Sequence, residues 1–295
     1  MLNPPLSLLS DDLINLIVDH VAEVPRSSSD ISDLYNLSIT DRAFTRSCQA
    51  YIFKVLRLGY NSGTNNSISE KLAKIRNILK DEPSFANQVR EIHLTVDDKQ
   101  NKWLFNDPTF ITIIQLFAKS LLPPHKLYLT GFWDPFVIED PVVFVVGWLM
   151  HFSQSLTVLY LRDCKNIPLT LFLVCPNLRE VYLDNVEVFE SRDDEYPDTQ
   201  CSGRELPALE HLEYCNSENL VKQMVTPPPK FSMAVVVWSK LRVLKLCPHE
   251  KEGLVCLQPI LEATCNTLEE FYLSNKPVTW FIASKMVILI DMARN

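Results

Sequence analysis

The sequence predicts an α/β protein: a short N-terminal helical module, then a solenoid in which strand and helix repeat, giving a parallel strand ribbon with outer helices. Three observations predict it. Apolar stripes at helical spacing recur through the first 58 residues. From residue 89 the pattern apolar-x-x-apolar-x-apolar returns seven times, and most returns are followed by an apolar run at three- and four-residue spacing. Of 295 residues, 47% are hydrophobic and 22% charged, so a core can form without staples.

Ser10 opens the first element as a helix N-cap, with Asp11 and Asp12 where the helix dipole favours negative charge. Leu13, Ile14, Ile17, Val18 and Val21 then form one stripe of roughly three turns. Pro25 and the serine-rich stretch 26–30 break it. A second helical pattern runs through Ile31, Leu34, Leu37 and Ile39, and a third through Phe44, Cys48, Tyr51, Ile52, Val55 and Leu56. Helices this short must pack on one another or on a partner. Residues 59–66, rich in Gly, Ser and Asn, form the linker, and a helix over 68–79 leads to the first strand. The chain thus divides into a helical module at 1–58, a linker and connecting helix at 59–88, and a repeat region at 89–295.

The seven copies are Val89/Ile92/Leu94, Pro124/Leu127/Leu129, Leu156/Leu159/Leu161, Leu178/Val181/Leu183, Leu209/Leu212/Tyr214, Leu241/Leu244/Leu246 and Leu268/Phe271/Leu273. Their last positions lie roughly 20 to 35 residues apart, against about 20 to 29 for leucine-rich repeats, which implies extended convex segments. Each copy alternates like a half-buried strand. Runs such as Phe110, Ile113, Ile114, Phe117 and Leu121, or Leu254, Leu257, Ile260 and Leu261, supply the helices. A lone repeat cannot bury its apolar edge, whereas stacked neighbours can.

Between the second and third apolar positions of each copy lies a residue that must point to the opposite, concave face. That column reads His93, Tyr128, Tyr160, Tyr182, Glu213, Lys245 and Tyr272, with Glu91, Lys126, Arg162, Glu180 and Asp184 in the flanking columns. Tyr128, Tyr160 and Tyr182, with Arg162 and Glu180, are the candidate substrate-binding residues. Two readings stand side by side: a binding hot spot of aromatic rings, or tyrosine as a strand former supporting the sheet.

Other classes of function find little to work with. A net charge of -8 leaves no basic surplus for a phosphate backbone, so nucleic acid is not an expected partner. The eight cysteines sit in apolar stretches and read as buried thiols in a reducing compartment. Asp11 and Asp12 interrupt any signal peptide, and the apolar segments 142–152 and 278–292 read as buried helices; the expectation is an intracellular protein, cytoplasmic or nuclear, without membrane contact. There is no G-x-G-x-x-G, P-loop, G-x-S-x-G or H-E-x-x-H, and no zinc-type cysteine spacing. Asp193, Asp194, Glu195 and Asp198 read as a solvated loop, and His93 and His211 as surface or hydrogen-bonded residues on strands. No cofactor, metal or catalytic role is expected; the rival is an enzyme whose nucleophile and base meet only in space.

Residues 9–14 read Leu-Ser-Asp-Asp-Leu-Ile, residues 37–44 Leu-Ser-Ile-Thr-Asp-Arg-Ala-Phe and residues 51–58 Tyr-Ile-Phe-Lys-Val-Leu-Arg-Leu. With these phrases the chain resembles the fungal F-box proteins with degenerate leucine-rich repeats, the first being similar to the box opening Leu-Pro-x-Glu-Leu-Leu. The second resembles Leu-Ser-Leu-Val-Cys-Arg-Ala-Phe, and the third the Leu-Phe-Arg ending. Val89 to Leu94 and Cys175 to Val181 resemble phrases of the repeats. Ser10 stands where the family has proline, and Asp41 where it often has cysteine. The resemblance implies an adaptor of a Skp-cullin-F-box ubiquitin ligase: the box docks on the Skp-family linker, and through it cullin, while the repeats bind a protein substrate. It puts Leu9, Leu13, Ile14, Ile17, Val18 and Leu37 at or just behind the docking surface, helix into groove; the same residues could instead be the core of a small helical cap. The alternative function is a non-ligase interaction scaffold built on the repeats. Residues 278–292 read either as a makeshift cap over the last repeat or as a truncated or misread terminus.

Overall fold

The computed structural model describes residues 9–23, 32–59, 65–96, 107–131, 136–137, 148–189, 205–228, 234–247, 254 and 256–274. Three helices come first: α1 (Asp11–Glu23), α2 (Ser32–Thr40) and α3 (Arg42–Ile52). Ser10 caps α1 through its carbonyl, which accepts the Ile14 N–H at 3.0 Å, with its hydroxyl 3.4 Å from the Leu13 nitrogen. Asp41 caps α3, its carboxylate accepting the Ala43 N–H at 2.8 Å. The three helices bury their own cluster of Ile14, Val18, Leu34, Phe44, Cys48 and Ile52. Across it, Tyr51 donates to Asp19 at 2.5 Å and Ser47 to Asn15 at 2.7 Å, tying α3 to α1.

The remainder is an α/β unit on one nine-stranded, all-parallel sheet. Its main path runs in chain order through β1 (Val55–Gly59), β2 (Glu91–Val96), β3 (Lys126–Gly131), β5 (Val158–Ile167), β6 (Glu180–Val188), β7 (His211–Cys215), β8 (Val243–Cys247) and β9 (Glu270–Leu273); β4 (Phe136–Val137) pairs with β5 off that path. Antiparallel pairs need only a tight turn, but each parallel pair needs a crossover. Here the crossovers hold α4 (Asn65–Asp81), α5 (Pro108–Ala118), α6 (Thr170–Val174), α7 (Glu218–Val225) and α8 (Leu257–Thr264).

The seven sequence copies fall on β2, β3 and β5 to β9, and their register is position for position. Ile92, Leu127, Leu159, Val181, Leu212, Leu244 and Phe271 form one column across the sheet, and Leu94, Leu129, Leu161, Leu183, Tyr214, Leu246 and Leu273 the next. All but Leu273, which is partly buried, lie in the core of the sheet, with Phe110, Ile113, Ile114 and Phe117 of α5 and Ile260 of α8. Leu121, read as the end of the α5 stripe, lies beyond that helix and is exposed.

The third helical stripe needs correcting. The periodicity predicts helix through Val55 and Leu56, but α3 ends at Ile52 and the next residues form β1, paired Val55 to Glu91 through Gly59 to Thr95. Strand pairing satisfies the backbone of 55–59 and lets Leu58 enter the sheet core at 2% exposure. Gly59 is required there: a Cβ would sit 2.6 Å from Thr95 Cβ and 2.8 Å from its carbonyl oxygen. The sheet therefore begins inside the range 1–58. Likewise α4 starts at Asn65, within the stretch read as linker.

A recurring corner sets the start of each strand. The carbonyl of Lys54 accepts both the Arg90 and Glu91 N–H groups, at 2.8 and 3.1 Å. The carbonyls of Arg90, His125, Thr157, Arg179, Glu210 and Arg242 each do the same for two successive N–H groups of the following strand, all within 2.8 to 3.3 Å. Within β5 and β6, Asp163 and Asn185 take left-handed φ values of 51° and 55°, and Asn216, just past β7, takes 48°, a conformation that short polar side chains tolerate.

Trp148, Leu149 and Phe152 are buried around a short 3-10 turn at Leu149–His151, Trp148 lying 6.0 Å from Phe110, ring to ring. Residues 142–147, the rest of the segment read as a buried helix, and residues 278–292 lie outside the described residues, as do Cys201 and the acidic stretch 193–198. Six of the seven described cysteines are buried; Cys265 is exposed. No described helix is long and apolar enough to cross a membrane.

Candidate functional site: the open face of the sheet and the surface of the first helix

Because side chains alternate along a strand, the columns between the buried ones share the other face of the sheet. One column is Arg57, His93, Tyr128, Tyr160, Tyr182, Glu213, Lys245 and Tyr272, in unbroken register from β1 to β9. Ring centroids lie 4.1 Å apart between His93 and Tyr128, 5.4 Å between Tyr128 and Tyr160, and 6.2 Å between Tyr160 and Tyr182. His211, one column over, stacks on Tyr182 at 4.9 Å. The three tyrosines are half-buried, so each presents a ring flank to solvent.

The central column and its flanking columns carry charge, most of it paired. Lys126 lies 3.7 Å from Glu91, Arg162 lies 3.3 Å from Asp184, and Lys245 lies 3.9 Å from Glu213. The Tyr182 hydroxyl donates to Glu180 at 2.9 Å and that of Tyr272 to Glu270 at 3.0 Å. The Tyr182 hydroxyl is thus engaged along the sheet. Lys245 also sits 5.2 Å above the Tyr272 ring.

The electrostatics of this face work against ionised tyrosine. Burial, opposed by Arg162 and reinforced by Asp184, pushes the Tyr160 hydroxyl up to about 12. Burial and then the Glu180 hydrogen bond raise Tyr182, and burial with Glu91 and Glu180 raises Tyr128. Burial opposes ionisation of Glu91, but the His93 hydrogen bond and the Lys126 charge outweigh it and hold the carboxyl below its ordinary range. Buried Cys164 and Cys175 are pushed up to about 12, which keeps them as thiols. Among the described residues no group of His, Cys, Asp and Glu is arranged to hold a metal ion. The face offers rings, hydroxyls and paired charges.

Sequence reasoning missed parts of this face. Arg57 heads the column, and its strand carries the same signal as the others, Phe53/Leu56/Leu58, hidden behind the helical stripe of α3. His211, read as an isolated surface residue, extends the aromatic row. Cys215 and Cys247 stand side by side in the column of Arg162 and Asp184, both buried.

The residues expected to dock a partner divide into two groups. Ile14 and Val18 are core residues at 6% and 0% exposure, and Leu9 and Leu37 pack partly buried against them. Leu13 and Ile17 are exposed, at 48% and 38%, and Leu16, not singled out from sequence, joins them at 63%. The outer stripe of α1 is therefore Leu13, Leu16 and Ile17, three apolar side chains at i, i+3 and i+4. Tyr35 and Ile39 of α2 are exposed as well. Comparison of the whole chain with models of protein families and with curated proteins finds no match to either.

Proposed function

We propose that this protein is a substrate-recognition adaptor of a Skp-cullin-F-box ubiquitin ligase, α1 to α3 acting as an F-box-like module and the parallel sheet as a leucine-rich-repeat solenoid. The observation that carries the proposal is the outer stripe of α1. Leu13, Leu16 and Ile17 are exposed together on a helix whose opposite side is already filled by Ile14 and Val18. Three apolar side chains in water on one short helix call for a partner groove, and a helix face presented to partner helices is how the box docks. The order of parts supports the same reading: a helical module with its own core, then strands laid down in chain order as stacked repeats lay them. In this reading the tyrosine column is the concave surface that takes the protein substrate.

The test is direct binding of the full chain to a purified Skp-family linker. The expected result is a stable complex that Leu13→Asp with Ile17→Asp abolishes, since an unpaired carboxylate buried in the groove is costly, while the variant keeps the parent helicity and thermal midpoint. Failure of the parent protein to bind the linker overturns the proposal. The second reading, a scaffold outside any ligase, is favoured by the burial of Ile14 and Val18, which spends two of the six candidate docking residues on the module's own core. It predicts no linker binding and partner capture that depends on the tyrosine column alone.

A further inference from the structure

The charges on the open face come close to cancelling, with one carboxylate in excess: Arg57, Lys126, Arg162 and Lys245 stand against Glu91, Glu180, Asp184, Glu213 and Glu270. Lys126, Arg162 and Lys245 are each within salt-bridge range of a carboxylate on the same face. Glu180 and Glu270 accept only a tyrosine hydroxyl, and neither forms a salt bridge among the described residues. Tyrosine rings adjoin both. An aromatic ring attracts a cation over its face, and a carboxylate beside that ring can take the cation's hydrogen bonds. The face already contains one such contact, Lys245 above Tyr272. Burial raises the hydroxyls of Tyr128 and Tyr182 first, and neighbouring carboxylates add to the rise. A chain of net charge -8 also draws cationic partners toward it over longer distances.

We infer that the open face recognises an extended basic segment of a partner protein, laid across β3, β5 and β6 with arginine side chains stacked on Tyr160 and Tyr182 and paired with Glu180. This rests on the recognition role of the tyrosine column proposed above and names the chemistry of what it takes. Arginine suits the site better than lysine, because a planar guanidinium stacks on a ring while its fork engages a carboxylate. Three strands span about 10 Å at about 4.8 Å each, which an extended peptide covers in about three residues. Two arginines at alternate positions would therefore meet the row from the same side.

The experiment uses the full chain and fluorescein-labelled octapeptides in about 150 mM salt, where screening suppresses contacts beyond a Debye length of about 8 Å. One peptide carries arginine at alternate positions, a second lysine, and a third glutamate. The expected order of affinity is arginine, lysine, then no detectable binding of the glutamate peptide. Tyr160→Leu with Tyr182→Leu should weaken the arginine peptide about tenfold or more, Tyr160→Phe should leave it within about twofold, and Glu180→Gln should weaken it and flatten its salt dependence. Equal binding of the glutamate peptide, or arginine binding unchanged in the double leucine variant, overturns the inference. The two levels fail separately. If the tyrosine variants lose a protein substrate but the arginine peptide does not bind, the basic-segment inference falls and the recognition role of the column stands; if tyrosine substitution affects neither, both fall.

Discussion

At the residue scale, two side-chain environments give direct expectations. Gly59 faces the Thr95 backbone and side chain so closely that any Cβ must displace β1 from β2. Gly59→Ala is expected to cost about 1 to 3 kcal/mol, read by urea unfolding, the range of a substitution that overpacks a buried contact. The tyrosine column predicts a pH dependence of definite sign. A hydroxyl whose folded pKa lies above its unfolded value keeps its proton longest in the native state, so the stabilisation is complete below about pH 10 and is lost as pH rises toward the folded value. For Tyr160, pushed up to about 12, the loss falls between about pH 10 and 12. Tyr160→Phe should blunt the alkaline fall in thermal midpoint and leave the midpoint at pH 7 nearly unchanged; an identical alkaline fall in both proteins would show that the hydroxyl is not held as described. The column itself was legible from sequence, because strand alternation fixes the face of every second residue. The Tyr182 to Glu180 hydrogen bond was not, since the i, i+2 pairing depends on a rotamer that no spacing encodes.

At the element scale, α1 separates packing from surface. Ile14 is enclosed by α2 and α3, and Ile14→Ala is expected to cost about 2 to 5 kcal/mol, as for other buried isoleucines. Leu16→Ala on the outer stripe should cost little, within about 0.5 kcal/mol. Chemical denaturation of the two variants measures the contrast. From sequence, Leu13, Ile14, Ile17 and Val18 form one stripe wider than a short helix can bury; only the positions of α2 and α3 decide which edge stays in water. The same limit explains β1. Val55 and Leu56 continue the three- and four-residue spacing from Ile52, and they also open an alternating strand, so the residues fit either period until the partner strand β2 decides.

At the scale of the whole molecule, stability is spread along a line, because among the described residues each strand of the main path bonds to its neighbours on that path, with β4 joining β5 at the side. Such arrays open from their ends. Hydrogen exchange should therefore be slowest in β5 and β6, the longest paired strands, and fastest in β9, which among the described residues pairs with β8 alone. Uniform protection from β1 to β9 would mean that the sheet opens as one cooperative block. This line-like order was readable in the seven matching copies, whose period survives unequal spacing because the buried triplet repeats even where the segment between copies does not.

The unequal spacing has a consequence that follows from the doubled hydrogen bonds at the strand starts. Each new strand is hung from a single carbonyl of the one before it, at Lys54, Arg90, His125, Thr157, Arg179, Glu210 and Arg242, whatever length of chain has passed in between. The pitch of the array is thus indexed at one edge, and variation in length is shunted to the other. Insertions in the crossovers can thicken the back of the molecule without moving the tyrosine rows by a fraction of a step, so the tyrosine-bearing face and the girth of the protein are free to diversify on separate schedules.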